Sequence, residues 1–237
     1  MKTEIIRSPV KALIFRNMFS EKVNEAILKE SIFLEKNFIS GMTSKGLDLN
    51  YRNNLVCYYD EIFVNNRNNS ILLTTINELF SNNSQFRETI VSFGYPFFKY
   101  IKTNTHETQV SNYGRDNEKY DYHIDMIGKN KLRIITFVYY FFKEPKKFKG
   151  GEIEFTNSPI VNGNLVEENA DTLIIKPENN MGIIFDSSVP HFVHPTSSNN
   201  FNEGRFSVNC WLGIDEKKAR KQQLEQEQKE KELTKLI

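Results

Sequence analysis

The chain has 237 residues, of which 39% are hydrophobic and 13% aromatic, and its formal net charge is +1. Such a composition is globular; it excludes a disordered segment and a surface charged to hold a polyanion. Cys57 and Cys210 make no disulfide framework and read as reduced thiols. The opening stretch MKTEIIRSPVKALIF has no apolar export core, and the longest apolar run, Ile134–Phe142, is about half of what a bilayer requires. A cytoplasmic protein without a membrane partner is expected.

In chain order, Val10–Phe15 reads as a strand. Ser20 is the predicted N-cap of a helix reaching about Phe33, with Val23, Ala26, Ile27 and Ile32 on its apolar side. Leu55–Tyr59 is a second strand, followed by Asn-rich turns and a helix over Ser70–Phe80 that Asn82-Asn83 ends. From about Pro96 the period falls to two. Strands are predicted at Phe97–Thr103, Thr108–Tyr113, Arg133–Phe142, Glu152–Phe155, Thr172–Lys176, Met181–Asp186 and Arg205–Leu212. Short strands between Gly, Pro and Asn turns indicate a sandwich or barrel. Gly150-Gly151 serves as a hairpin turn, and Asn157–Asp171 as a long loop or lid. No composition shift divides the chain, so residues 1–214 read as one domain, with a mixed part over 1–100 and a β core over about 100–214. Residues 215–237 read as a charged, solvated helix with pairs such as Glu225–Lys229 and Glu227–Lys231.

The chemistry concentrates in the second half. His123-Ile124-Asp125 places two ligands one residue apart, the spacing a strand offers on one face. A later histidine would complete a facial triad of two imidazoles and a carboxylate, which suits Fe(II) and leaves positions for a cosubstrate and O₂. His191 and His194 both stand in range. In an extended chain His191 shares a face with Val193 while His194 points the other way, which favours His191. His106, in a polar stretch, has no assigned role. On Arg205–Leu212, residues Arg205, Ser207, Asn209 and Trp211 share one face, and Phe206, Val208 and Cys210 the other. The polar face is turned either to solvent, with Arg205 paired to a glutamate, or to a cavity, where Arg205 needs an anionic partner such as the far carboxylate of an organic acid. Thr136, Val138 and Tyr140 share a face of a neighbouring strand, and the Tyr140 hydroxyl could supplement the arginine.

These pieces, in order, resemble the 2-oxoglutarate/Fe(II)-dependent oxygenases, and within them the prolyl 4-hydroxylase-like branch. Gln109 through Tyr113-Gly114 to His123-Ile124-Asp125, Thr136–Tyr140, Phe148-Lys149-Gly150-Gly151-Glu152-Ile153, Gly182–Phe185 with His191, Val193 and Pro195, and finally Arg205, Asn209 and Trp211 carry the resemblance. It covers about Thr108–Gly213. The resemblance implies a mainly β fold with helical additions: a double-stranded β-helix (jelly-roll or cupin-like) core with the N-terminal helices packed on it. It implies Fe(II) on His123, Asp125 and His191, and 2-oxoglutarate anchored by Arg205. Tyr140, Thr136 and Tyr113 would line the pocket, with Asn209 and Trp211 at family positions.

The chemistry so implied is hydroxylation of an amino-acid side chain, foremost a prolyl residue in a peptide or protein, with release of succinate and CO₂ and with ascorbate as a supporting reductant. A free amino acid or small natural product is the alternative substrate, and a non-catalytic β-barrel binding module the alternative class. Asp125 is retained where halogenating relatives lose the carboxylate. Trp211 stands where nucleic-acid demethylases carry a second arginine, so no nucleic-acid partner is expected.

Overall fold

A computed structural model describes residues 1–43, 46–81, 84–95, 106–126, 133–161, 164–166, 170–213 and 225. The first elements are β1 (Lys2–Ile6) and β2 (Ala12–Arg16), an antiparallel pair in which Thr3 faces Phe15. Helix α1 (Glu21–Phe33) starts where its cap predicts: the Val23 amide donates to Ser20 Oγ. Short strands β3 (Ile39–Ser40), β4 (Arg52–Asn53) and β5 (Leu55–Tyr58) follow. Tyr59, expected to end the strand, instead opens a short helix α2 (Tyr59–Ile62). The cause is tertiary: its buried hydroxyl meets Ser31 Oγ of α1 at 2.8 Å, which pulls the chain out of the sheet.

Helix α3 (Ile71–Leu79) is capped twice. Ser70 Oγ accepts from the Leu73 amide at 3.1 Å, and Glu30 of α1 accepts from the Ile71 and Leu72 amides at 2.9 and 3.0 Å. Helix α4 (Gln85–Gly94) was not expected. Its β-branched Thr89-Ile90-Val91 run masks a good cap at Ser84 and apolar residues Phe86, Ile90 and Phe93 at helical spacing.

The β core comprises β6 (His106–Tyr113), β7 (Glu118–His123), β8 (Arg133–Phe141), β9 (Lys149–Gly150), β10 (Ile153–Thr156), β11 (Ile160–Val161), β12 (Asn164–Leu165), β13 (Thr172–Ile175), β14 (Met181–Asp186), β15 (His191–Ser197) and β16 (Arg205–Gly213). An eight-stranded sheet runs β1-β2-β14-β8-β16-β6-β5-β3. A second runs β13-β10-β15-β7-β4 with β9 beside β15, and β11-β12 form a separate ribbon. Strand pairing among the described residues is antiparallel throughout. This is the expected double-stranded β-helix. The strand predicted at Phe97–Thr103 and, apart from Glu225, the charged helix at 215–237 lie outside the described residues, as do parts of the Asn157–Asp171 loop.

Period-two alternation gives the large sheet two apolar faces. Ile135, Phe137, Tyr139 and Phe141 of β8 pack with Phe206, Val208 and Cys210 of β16 beneath Ile27, Leu73, Ile76 and Ile90 of the helices. Val138 and Tyr140 of β8 turn the other way, with Ile183 and Phe185 of β14, toward Ile153 and Phe155 of the second sheet. Phe137 is fully buried between the rings of Phe80 and Phe86, at 5.5 and 5.8 Å. Burial of one such side chain contributes about 1.5–3 kcal/mol. Among the described residues, no helix is long and apolar enough to cross a membrane.

Candidate active site

Strands β7 and β15 pair within the second sheet, and the register sets His191 opposite His123. Asp125 is not on the strand with His123, as the one-residue spacing had suggested. Strand β7 ends at His123, and the chain bends so that the Asp125 and Met126 amides both donate to the Ser187 carbonyl, at 2.9 and 3.0 Å. That turn brings the carboxylate to the imidazoles: the three ligand atoms lie within 4.8 Å of one another, with His191 Nε2 3.7 Å from Asp125 Oδ2.

Each imidazole is fixed by a backbone carbonyl two residues before it. His123 Nδ1 lies 2.7 Å from Asp121 O, and His191 Nδ1 3.0 Å from Val189 O. A carbonyl only accepts, so Nδ1 carries the proton and each Nε2 presents its lone pair. Burial, with the facing His191 and Arg52 adding to it, holds His123 well below its usual pKa. It is therefore in the neutral form that ligates a metal. Tyr120 stacks on its ring at 3.5 Å.

Thr136 corrects an expectation. It does not stand beside Arg205; its hydroxyl donates to Asp125 Oδ2 at 2.7 Å and contacts Ser187 Oγ at 3.0 Å. The Val138–Tyr140 alternation places it at the Asp125 end of the same strand face.

A cavity of about 440 Å³ opens from the triad along the polar face of β16. Arg205 is 1% exposed, and its Nε and Nη1 are buried without a hydrogen-bond partner. The Tyr140 hydroxyl is likewise unpartnered. Among the described residues no carboxylate pairs with Arg205. The rings of Tyr113 and Tyr140 flank its guanidinium at 4.5 and 4.8 Å. Burial raises both phenols above their usual pKa although Arg205 opposes it, so both stay protonated. Gly151, at φ +74°, makes the arginine's position possible: a Cβ there would stand 2.7 Å from Arg205 Cδ.

Asn209 and Trp211 line the same cavity. The Asn209 amide donates to Ser111 Oγ at 2.9 Å, and the Trp211 ring lies under the Arg133 guanidinium at 4.0 Å. His194 faces away, its Nε2 2.7 Å from Glu154 Oε2, so it is not a ligand. Sequence reasoning missed Tyr120, Ser187 and Arg52; Tyr120 lies within β7 and Ser187 just past the end of β14, neither with a distinguishing pattern, and Arg52 reaches the site only through the pairing of β4 with β7.

An iron ion and a dicarboxylate fit these residues. Two imidazoles and a carboxylate match Fe(II), and their ligand atoms converge to within 4.8 Å of one another. A buried guanidinium with two idle donors, beside an idle hydroxyl, matches a carboxylate.

Comparison with known proteins agrees. Residues 108–213 match the family model described as the 2OG-Fe(II) oxygenase superfamily, whose name specifies iron and 2-oxoglutarate. An 86-residue stretch, 35% of this chain, is 38% identical to a Synechocystis sp. protein named as an uncharacterized PKHD-type hydroxylase, and it spans 28% of that relative's length. A Trichoplax adhaerens prolyl hydroxylase, solved in complex with a hypoxia inducible factor oxygen degradation domain peptide fragment, superposes with a TM-score of 0.61 at 17% identity, covering 88% of this chain and 86% of that one. A Pseudomonas putida prolyl-4-hydroxylase gives 0.59 at 14% identity, covering 87% and 94%. At these identities the structural likeness is one of fold. Residues 108–213 are thus similar to the 2OG-Fe(II) oxygenase superfamily, and the fold is prolyl 4-hydroxylase-like.

Proposed function

We propose that the protein is an Fe(II)- and 2-oxoglutarate-dependent hydroxylase of an amino-acid side chain, with a prolyl residue in a peptide or protein as the favoured substrate. The observation that carries this reading is the coexistence, in one cavity, of a buried His-Asp-His triad and a buried arginine without a counter-charge. In it, His123, Asp125 and His191 hold the iron, and Arg205 with the Tyr140 hydroxyl holds the distal carboxylate of 2-oxoglutarate. Tyr113 supports the guanidinium from below, while Asn209 and Trp211 border the cosubstrate.

The iron, when bound, supplies O₂ activation coupled to decarboxylation of 2-oxoglutarate. Overall, a substrate C–H bond, 2-oxoglutarate and O₂ become C–OH, succinate and CO₂. The chain's own residues fix the geometry: Thr136 orients Asp125, two backbone carbonyls set the imidazole tautomers, and the apolar walls at Val138 and Ile153 exclude water. The cavity also reaches exposed Met42 and Glu61, so an extended polypeptide can approach the iron. A second reading, a free amino acid or small natural product, is favoured by the cavity's volume, which a compact molecule would fill. The buried free thiols of Cys57 and Cys210 fit the proposed reducing, cytoplasmic setting.

The test is succinate formation with Fe(II), 2-oxoglutarate, O₂ and ascorbate, alone and with proline-containing peptides. Activity that Asp125→Ala and Arg205→Ala each abolish supports the reading; failure of the wild type to bind both Fe(II) and 2-oxoglutarate refutes it. Stimulation by a free amino acid alone would favour the second reading.

A further inference from the structure

The cavity holds a second buried arginine. Arg52, on β4, is 7% exposed and lines the same space as the triad. Its Nε donates to Asn54 Oδ1 and its Nη1 to the Met42 carbonyl, both at 2.9 Å and both to neutral groups. Its Nη2 hydrogen-bonds to no described residue, and no carboxylate among the described residues pairs with it. A cation held this way is costly unless an anion joins it.

The arrangement is built into the fold. Strand pairing sets Arg52 opposite Tyr120, and the guanidinium lies over that ring at 4.5 Å. Tyr120 in turn stacks on His123. Gly41 leaves the necessary room: a Cβ there would stand 2.6 Å from Arg52 Nε and 2.3 Å from Asn54 Oδ1. Arg52 is thus fixed two ring contacts away from the triad. It belongs to a different strand and a different sheet from Arg205.

We propose that Arg52 anchors a carboxylate of the primary substrate, so that the enzyme acts on a C–H bond a few bonds from an acid group. This rests on the hydroxylase reading and names its substrate class. The carboxylate is either that of a free amino acid or one carried by a polypeptide, as an acidic side chain or chain terminus beside the reacting residue.

Two matched pairs of probes separate the sources: L-proline against L-prolinamide, and a short proline peptide with Asp beside the proline against the same peptide with Asn. Binding is read from the fluorescence of Trp211, the only tryptophan and a cavity residue, with Mn(II) and 2-oxoglutarate present, and in parallel from stimulated succinate formation. In the wild type the acid member of one pair binds roughly ten- to hundredfold more tightly than its amide. Arg52→Gln removes that preference while the affinity for 2-oxoglutarate stays within about twofold, and Arg52→Lys retains part of it. The proposal is overturned if acids and amides bind alike, if the preference survives Arg52→Gln, or if no probe binds to protein that holds 2-oxoglutarate. The wild-type comparison needs no variant to fold. Loss of 2-oxoglutarate binding altogether would refute the hydroxylase reading, whereas an Arg52-dependent acid preference measured without cosubstrate would still uphold the anchor.

Discussion

Replacing Thr136 by valine keeps the shape of the side chain and removes one hydroxyl. That hydroxyl is 1% exposed as part of its residue and donates to Asp125 Oδ2 at 2.7 Å, the carboxylate proposed to hold the iron. A hydrogen bond to an ionised acceptor is worth about 1.5–3 kcal/mol. At about 1.4 kcal/mol per tenfold, its loss should weaken Fe(II) binding roughly ten- to hundredfold, which is also the range for outer partners of metal ligands. Valine opens no cavity, so thermal stability should fall far less than metal affinity. The assay is an anaerobic Fe(II) titration of wild type, Thr136→Val and Thr136→Ser, with the 2-oxoglutarate KM measured on the same proteins. Serine, which keeps the donor, should bind iron within about threefold of wild type. Valine that binds iron normally and instead raises the 2-oxoglutarate KM would refute the reasoning, because it would mean that Thr136 serves the cosubstrate end.

Other outcomes are equally direct. Arg205→Ala should raise the 2-oxoglutarate dissociation constant by at least about thirtyfold, since truncating a desolvated charge pair costs about 2–5 kcal/mol; calorimetry on the metal-loaded protein checks it. Without 2-oxoglutarate the same variant should unfold at or above the wild-type temperature, because the removed charge has no protein counter-charge among the described residues. Phe137→Ala should destabilise by about 3–5 kcal/mol in chemical denaturation, through the gap left between Phe80 and Phe86. Burial pushes the thiols of Cys57 and Cys210 up to about 12, so neither should react with a thiol reagent at neutral pH until denaturant is added. Rapid labelling of the native protein would contradict that placement.

Most of what was legible in the sequence is local. Strand β14 runs over Met181–Asp186 as predicted, and the opposed faces of β16 separate Phe206, Val208 and Cys210 from Arg205, Ser207, Asn209 and Trp211, because side-chain alternation needs no knowledge of partners. Ser20 and Ser70 mark their helices because a cap acts within one turn. Helix α4 carried the same signals, and its β-branched centre hid them. What depends on distant pairing was out of reach. Asp125 joins the triad by a bend fastened to Ser187 rather than by strand alternation, and Thr136 meets Asp125 across two elements. Arg52 enters the cavity only because β4 lies beside β7. Of the residues expected to bind the cosubstrate, Tyr113, Tyr140 and Arg205 stand together at one end of the cavity, and Thr136 does not join them.

Gly151 gives the cavity a fixed measure. For any acid that bridges the triad and the Arg205 guanidinium, the usable chain length is the span between them, and the far mark of that ruler stands where it does because position 151 contributes no atoms beyond the backbone. A methyl group there would occupy volume that Arg205 Cδ now fills, displacing the guanidinium and rescaling the ruler. Under the proposed function, discrimination between oxo acids one carbon apart would therefore be written partly in a hydrogen, at a position outside the cavity lining.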